Sequence, residues 1–363
     1  MSEAPPSPYI VSFAEASDAD HVRMGGKCSS LARMIKAGVR VPPGFAVTTD
    51  AYVRHLGEGG LAARIAEIID AISVEKVDDE ARDALRVREM IAASATPPDV
   101  EAAIRSAYLA MSAGGDLPVA VRSSATAEDM PDASFAGQQD TYLWVVGADE
   151  VVDKVKACWA SLFNARAISY RAKNNIGATD VLMSVGVQKM VDAYAAGVAM
   201  TLDPITGDRT KIVIDSAFGL GEPVVSGEIT PDNFAVEKVM MTIAKRRVVE
   251  KDFELVADRQ ARKTVERVIE PERRTLSSLS DAQVLAVAKL AKSLERMMGG
   301  PQDVEWAIDR DLHEDDGVVA LQSRPETIWS RKPKAAPGSF STGIEGVLGA
   351  LLTPINANAN KQI

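Results

Sequence analysis

In two parts of the chain, apolar side chains recur every three or four positions, which is the spacing of one face of an α-helix. Residues 61–111 are rich in Ala, Ile, Leu, Glu and Arg in this pattern, with an interruption at Pro97 and Pro98. A second apolar stripe covers residues 151–170 and includes Trp159. Both segments therefore predict helices.

The most complete helix pattern covers residues 280–298. Ser280 and Gln283 have the spacing of a capping box, in which each side chain satisfies a backbone N–H group of the first turn. Apolar residues then follow on one face, and Gly299-Gly300 supplies a stop. We therefore predict a helix whose two ends are both defined by the sequence.

Short apolar runs bounded by Gly, Asp and Pro predict strands. The run at residues 118–121 opens into the polar sequence 122–126, which we interpret as a loop that presents its side chains to a ligand. Residues 304–308 and 318–322 predict a hairpin-like pair of strands. Four further runs predict strands of one sheet: residues 181–191, 197–202, 211–217 and 233–238. Helices first and mixed strands and helices later, without regular β-α-β alternation, predict an α+β fold in two lobes.

The net charge, together with the search for targeting, membrane-spanning and cysteine motifs, argues against several classes of function. The 363 residues include 41 Lys and Arg against 51 Asp and Glu, a net charge of −10 without any basic block, which argues against general binding to nucleic acid or to an anionic membrane. We recognise no signal peptide and no apolar run long enough to cross a membrane. Cys28 and Cys158 are too far apart for a zinc motif. We therefore expect a cytoplasmic protein.

Two segments near the predicted strands offer groups suited to phosphates. Gly25-Gly26-Lys27 precedes an apolar stretch that predicts a helix from Leu31. The motif combines close backbone approach with a positive charge, although a glycine turn with a solvated lysine explains the same residues. Arg122, followed by Ser123 and Ser124, combines a guanidinium fork with hydroxyls, although a cap with a surface ion pair also fits. Both segments are therefore candidate anion-binding sites, each with its structural alternative.

The predicted hairpin pair carries candidate metal ligands. Glu305 and Gln322 lie on adjacent strands, and Arg324 lies two positions beyond Gln322 on the same face. Such a set suits Mg²⁺ bridging phosphates, with a structural salt bridge as the alternative reading. Glu222 is a further candidate polar group of the site, although a tight turn alone also explains the sequence around it.

None of the three histidines has a neighbouring Ser, Thr or Cys pattern of a nucleophilic site. We therefore predict surface positions for His21, His55 and His313.

Taken in order, eight segments resemble the nucleotide-binding domain of phosphoenolpyruvate synthase and pyruvate phosphate dikinase. They are residues 25–31, 41–45, 121–129, 134–138, 188–191, 203–207, 219–222 and 322–327. The resemblance implies an ATP-grasp fold with ATP held in a cleft between two lobes, residues 1–190 and 191–330. The composition of residues 331–363 predicts a linker and tail, whose short apolar stretch at 344–355 is a candidate docking segment for a partner.

The resemblance also implies roles for individual residues. Lys27 and Arg122 would contact phosphates, and Arg324 would stabilise charge on the transferring group; these three are the implied catalytic residues. The remaining implied ligands are Gly137 and Thr141 covering the phosphates, Gln188, Met190 and Val191 at the adenine, and Glu305 and Gln322 holding Mg²⁺ or Mn²⁺.

Relatives that work alone continue into a domain with a phosphorylated histidine, whereas no histidine here has that context. The resemblance therefore implies a hetero-oligomer in which this chain phosphorylates a histidine of a partner subunit. Phenylphosphate synthase is divided in this way, and the chain is similar to its smaller subunit, which implies cleavage of ATP to AMP and phosphate with phenol as the final acceptor. The alternatives are an ATP-binding regulatory module without transfer and the nucleotide domain of a phosphoenolpyruvate synthase.

Overall fold

A computed structural model describes residues 7–71, 77–126, 140–165, 167–169, 177, 180–312 and 317–330. The chain divides into two compact units, residues 1–326 and 327–363. Only residues 327–330 of the second unit are described, so every helix and strand given below belongs to the first. The predicted roles of Gly137 and His313, and of the tail from residue 331, fall outside the described residues.

Helices and strands both occur in large numbers, in agreement with the predicted α+β class. The helices are α1 (His21–Lys36), α2 (Thr49–Gly57), α3 (Leu61–Asp70), α4 (Val77–Ala93), α5 (Pro98–Met111), α6 (Ala148–Ser161), α7 (Glu222–Ser226), α8 (Pro271–Arg274) and α9 (Asp281–Met298). The strands are β1 (Ile10–Ser12), β2 (Gly44–Val47), β3 (Val119–Ala125), β4 (Thr141–Val145), β5 (Met183–Lys189), β6 (Ala193–Met200), β7 (Lys211–Phe218), β8 (Asp232–Glu237), β9 (Thr242–Arg247), β10 (Phe253–Asp258), β11 (Lys263–Val268), β12 (Gln302–Asp309) and β13 (Val318–Pro325). Within these described elements, no helix is both long enough and apolar enough to span a bilayer.

The strands form two large antiparallel sheets and one small hairpin. The first sheet has the order β1-β2-β5-β3-β4, and the second has the order β13-β12-β6-β7-β8-β9. Strands β10 and β11 pair with each other as a two-stranded ribbon. The prediction that residues 181–191 share a sheet with the three runs after them is therefore wrong, because β5 pairs with β2 and β3 instead.

Two cores stabilise these sheets. One core contains the helices α2 to α6 and the first sheet, and its largest buried side chains include Trp159, Tyr52 and Tyr108. The other contains α9 and the second sheet, with Trp306 and Phe234 buried at its centre. Helix α9 follows the predicted pattern in full: Ser280 and Gln283 form the capping box, and Gly299 ends the helix in the left-handed conformation.

Helix α1 touches both sheets. It contributes Met24 and Met34 to the second core, although its neighbours in sequence, β1 and β2, belong to the first sheet. The first sheet ends at Lys189 and the second begins at Ala193, which lie next to the predicted boundary. The division into lobes at residues 1–190 and 191–330 stays a prediction.

Three local predictions need correction. Residues 122–125 continue strand β3 instead of forming a loop, because Ser123 and Ser124 are buried and their backbone pairs with β5. The second amphipathic helix ends at Ser161, well before residue 170. The helix expected from Leu31 begins at His21 and contains Gly25, whose φ of 69° interrupts the helical path.

His55 is buried within the first core, so its predicted surface position is wrong. Its ring packs 4.8 Å from the ring of Trp159, and its Nε2 lies 3.0 Å from the Ser94 hydroxyl. Because Ser94 Oγ already donates its proton to the carbonyl of Ile91, Nε2 is the donor and Nδ1 carries the lone pair. Burial, followed by the charge of Lys156, lowers the pKa of His55 to about 4.

This low pKa predicts a loss of stability in mild acid. The unfolded chain takes up a proton on His55 near pH 6.5 whereas the folded chain does so only near pH 4, so the stability is complete above pH 6.5 and falls between these values. The loss reaches roughly 3 kcal/mol at pH 4, taking 1.36 kcal/mol per pKa unit. Urea denaturation of wild type and His55→Gln from pH 7.5 to 4 measures it. The wild type should lose stability more steeply, and parallel curves would contradict this assignment.

A buried ion pair joins β8 to the segment after β9. Lys251 Nζ lies 2.6 Å from Asp232 Oδ1, and the two side chains are 1% and 0% exposed. Asp232 also accepts hydrogen bonds from the backbone N–H groups of Val249 and Ser278. Lys251 therefore neutralises a carboxylate that water does not reach.

Removing this lysine should destabilise the fold strongly. We expect Lys251→Met to lower the free energy of unfolding by about 3–5 kcal/mol, because Asp232 is left buried and unpaired. The double variant Lys251→Met, Asp232→Asn should recover part of that loss. Denaturant titration checks both, with Lys36→Met at the exposed pair with Asp18 as the matched control. A loss no greater than that of the control would contradict the account.

Candidate functional site

A cavity of about 590 Å³ is lined by residues of both large sheets, within the range of roughly 300–1,000 Å³ that is typical of ligand sites. Nine of the ten residues implied by the family resemblance line it; the tenth, Gly137, lies outside the described residues. The nine are Lys27, Arg122, Thr141, Gln188, Met190, Val191, Glu305, Gln322 and Arg324. Their roles stay predictions, but their convergence on one cavity is a structural fact.

The strand pair β12–β13 brings the predicted metal ligands together. Glu305 and Gln322 are direct register partners on these antiparallel strands, so their side chains leave the sheet side by side. Asp303 opposes Arg324 two pairs further along. The register of the two strands shifts between Glu305 and Trp306. Such an irregularity increases the local twist and changes the direction of neighbouring side chains. The hairpin-like pair predicted from the sequence is therefore present.

The carboxylate of Glu305 lies between two guanidinium groups from different sheets. Arg122 Nη1, on β3, lies 3.7 Å from Glu305 Oε2. Arg324 Nη2, on β13, lies 3.2 Å from Glu305 Oε1. Lys27 Nζ adds a third cation and donates to the carbonyl of Ser123 at 3.1 Å. Three cations thus lie at this end of the cavity with the carboxylates of Glu305 and, opposite Arg324, Asp303, and cationic donors of this kind suit a polyphosphate.

One buried donor of this group has no partner. The Nε of Arg122 is buried and makes no hydrogen bond to any described residue. A buried unsatisfied donor costs free energy unless a ligand or water completes it. The orphaned N–H therefore indicates an acceptor that enters the cavity, and a phosphate oxygen has the required chemistry.

The donor set also fits a divalent cation such as Mg²⁺. The described residues hold no cluster of three or more His, Cys, Asp or Glu side chains. Mg²⁺ commonly takes only one or two protein ligands and completes its shell with phosphates and water. Glu305 and Gln322 supply oxygen ligands of that kind, and they would hold the metal beside the phosphates.

The other end of the cavity is apolar. Along β3, Ala120 precedes Arg122 by two positions, and along β12, Ala307 follows Glu305 by two positions; all four line the cavity. Val191 and Leu220 pack with Ala307 in one small apolar cluster. This end presents an apolar surface of the kind that accepts a flat heterocycle.

The connection between the sheets is held by backbone hydrogen bonds. The N–H group of Met190 donates to the carbonyl of Pro118 at 2.9 Å, and that of Lys189 donates to the carbonyl of Pro43. The Gln188 amide is buried and donates to the carbonyl of Pro42 at 3.2 Å. The side chain of Gln188 thus fixes this segment to the loop before β2.

Sequence reasoning overlooked Lys189, which lines the cavity, and Asp303, which pairs in register with the lining residue Arg324. Asp303 lies two positions before Glu305 on the same strand, and burial raises its pKa although Arg324 opposes this. The alternating Asp-x-Glu pattern on a predicted strand was a signal that could have identified it. Lys189 lines the cavity and pairs with Asp311 at 3.8 Å. Glu222, only a candidate by sequence, lines the cavity beside Gly221.

Size alone would select a different cavity. A space of about 840 Å³ lies beside the start of α9 on the other face of the second sheet. Both guanidinium groups that line it are already paired, since Arg246 bonds Asp281 and Arg310 bonds Asp192. None of the residues predicted for nucleotide binding lines it. We therefore take the smaller cavity as the candidate site.

Comparisons with known proteins agree with this choice. The family described as pyruvate phosphate dikinase, AMP/ATP-binding domain, matches residues 21–342. Phosphoenolpyruvate synthase of Aeropyrum pernix is 43% identical over 341 residues, which are 86% of this chain and 42% of that protein. A probable phosphoenolpyruvate synthase of Staphylothermus marinus is 43% identical over 364 residues, covering 93% of this chain and 43% of that protein.

A third relative, phosphoenolpyruvate synthase of Pseudomonas aeruginosa, is 41% identical over 339 residues, covering 89% of this chain and 42% of that protein. The chain thus spans less than half the length of these curated relatives. The family match covers the segments that build the cavity, from Lys27 to Arg324. The chain therefore belongs to the pyruvate phosphate dikinase AMP/ATP-binding domain family.

Proposed function

We propose that this chain binds ATP with Mg²⁺ in the cavity between its two sheets and acts as the nucleotide-binding part of a phosphoenolpyruvate synthase-type phosphotransferase. In this proposal the sheets are the two lobes of an ATP-grasp fold, with the nucleotide cleft between them. The observation that carries the proposal is the polarity of the cavity. Arg122 and Arg324 flank Glu305, Lys27 lines the same cavity, and an apolar cluster forms another part of the wall.

The residues divide the work of binding a nucleotide. The apolar end with Met190 and Val191 would take the adenine, and the cationic end would take the triphosphate. Mg²⁺, held by Glu305 and Gln322, would neutralise negative charge on the phosphate oxygens. The chain itself mainly positions the phosphates and compensates their charge, which is what phosphoryl transfer requires of a protein.

The overall reaction that we propose converts ATP, water and a histidine side chain into AMP, phosphate and a phosphorylated imidazole. Neither His21 nor His55, the two histidines that the structure describes, lines the cavity. We therefore propose that the acceptor histidine belongs to another domain or to a partner subunit. The names of the relatives support phosphoenolpyruvate synthase chemistry, the alternative given by the sequence, over phenylphosphate synthase. Phenol as the final acceptor keeps only the support of the sequence resemblance.

Radiolabelled nucleotide tests this proposal. The chain is mixed with Mg²⁺, [β-³²P]ATP and an extract of its native cells, and protein-bound label is analysed for the acid lability of phosphohistidine. We expect labelled protein together with AMP, and no protein label from [α-³²P]ATP, because the α-phosphate stays in AMP. ATP binding without transfer of the β-label would favour the regulatory module instead. An absence of ATP binding would contradict the proposal altogether.

A further inference from the structure

The segment that carries Lys27 follows an abrupt turn at Gly25. The backbone there has a φ of 69° and a ψ of 170°, so the helical path stops and a new helical turn begins at Gly26. A Cβ atom on Gly25 would lie 2.0 Å from the carbonyl oxygen of Ser124. Only glycine permits this conformation and this approach. The end of β3 therefore packs directly against the start of the turn that carries Lys27.

Ser124 forms two hydrogen bonds across this contact. Its hydroxyl accepts from the backbone N–H of Cys28 at 3.2 Å and donates to the carbonyl of Met24 at 3.0 Å. Cys28 is the third residue after Gly25, and the N–H at this position normally bonds the side chain of the helix N-cap. Glycine has no side chain to do this. Ser124 of strand β3 thus provides the helix cap that Gly25 lacks.

Two links therefore tie the Lys27 segment to the strand that carries Arg122. One is the hydroxyl of Ser124, which is fully buried. The other is the bond from Lys27 Nζ to the carbonyl of Ser123. Since Arg122 lies on the same strand two positions before Ser124, the spacing between the two cations depends on this contact.

We infer that Ser124 is a positioning residue for the binding of the triphosphate, acting through Lys27 and not by touching the nucleotide. This inference rests on the proposed function, because it assumes that Lys27 meets phosphates. Ser124 does not line the cavity, whereas Lys27 and Arg122 do. Loss of its hydroxyl should loosen the Lys27 segment and leave the apolar end of the cavity unchanged.

Paired affinities for ATP and for adenosine test the inference. We expect Ser124→Ala to raise the Kd of Mg·ATP by about tenfold, the equivalent of one or two lost hydrogen bonds, and to change the Kd of adenosine by less than about twofold. Ser124→Cys keeps the size of the side chain but has a weakly bonding thiol, so it should shift ATP affinity in the same direction. It also covers the case in which the alanine variant does not fold.

Ser184→Ala is the matched control. Ser184 opposes Ser124 on the neighbouring strand β5, is equally buried, and donates to the carbonyl of Val47 at 2.8 Å without touching the Lys27 segment. It should lose stability while keeping the wild-type ratio of ATP to adenosine affinity. An unchanged ratio in Ser124→Cys and any folded Ser124→Ala would overturn the inference. A wild-type chain that does not bind ATP would contradict the proposed function instead.

Discussion

Glu305→Gln should sharply reduce metal-dependent phosphoryl transfer while strengthening the binding of metal-free nucleotide. The substitution keeps the shape of the side chain but removes the negative charge that now pairs with Arg122 and Arg324. We expect transfer to fall by roughly 10²–10³-fold, because charge compensation at the phosphates is lost with the metal. Metal-free ATP should bind more tightly, since both guanidinium groups become available to it.

Two measurements check this result. Titration with Mn²⁺ in the presence of a non-hydrolysable ATP analogue, followed by electron paramagnetic resonance, reports metal affinity, and calorimetry without metal reports nucleotide affinity. Glu237→Gln, on strand β8 of the same sheet and outside the cavity lining, is the control. Unchanged Mn²⁺ affinity in Glu305→Gln would show that this carboxylate is a structural ion-pair partner only.

Arg122→Lys should impair transfer nearly as much as Arg122→Ala. Lysine keeps the positive charge but lacks the planar fork that can pair with Glu305 through one nitrogen while its buried Nε meets a second acceptor. We expect a loss of roughly 10²–10³-fold in the rate of transfer for both variants, by analogy with removal of an aligned electrostatic donor. Comparison of the two variants separates the effect of the guanidinium geometry from the effect of the positive charge.

The rate of label transfer from [β-³²P]ATP measures this effect. Arg105→Lys, at an exposed pair with Glu101 on helix α5, serves as the control for a general effect of the substitution. Full activity of Arg122→Lys would mean that only the charge at this position matters. It would also contradict the inference that the unpaired Nε of Arg122 binds an acceptor on the ligand.

The residues that line the candidate cavity were predictable mainly from the family resemblance, while their roles stay predictions. Glu305 and Gln322 lie on two neighbouring predicted strands, so their pairing followed from the local pattern, and the register agrees with it. Helix α9 was predictable for the same reason, since its cap, apolar face and glycine stop are all local signals.

The features that the sequence could not predict depend on contacts between distant residues. The run that forms β5 is apolar throughout, which indicates a buried strand but does not specify its neighbours. The burial of His55 depends on residues far along the chain, namely Ser94, which follows helix α4, and Trp159 of helix α6. The approach of Arg122 to Glu305 likewise joins two different sheets.

The most direct test of the central claim is a crystal structure of this chain with Mn²⁺ and a non-hydrolysable ATP analogue. The account predicts adenine against Val191, phosphates within hydrogen-bond distance of Lys27 and Arg122, and an anomalous metal peak at Glu305 and Gln322. A nucleotide bound elsewhere, or a metal peak away from these two side chains, would contradict it.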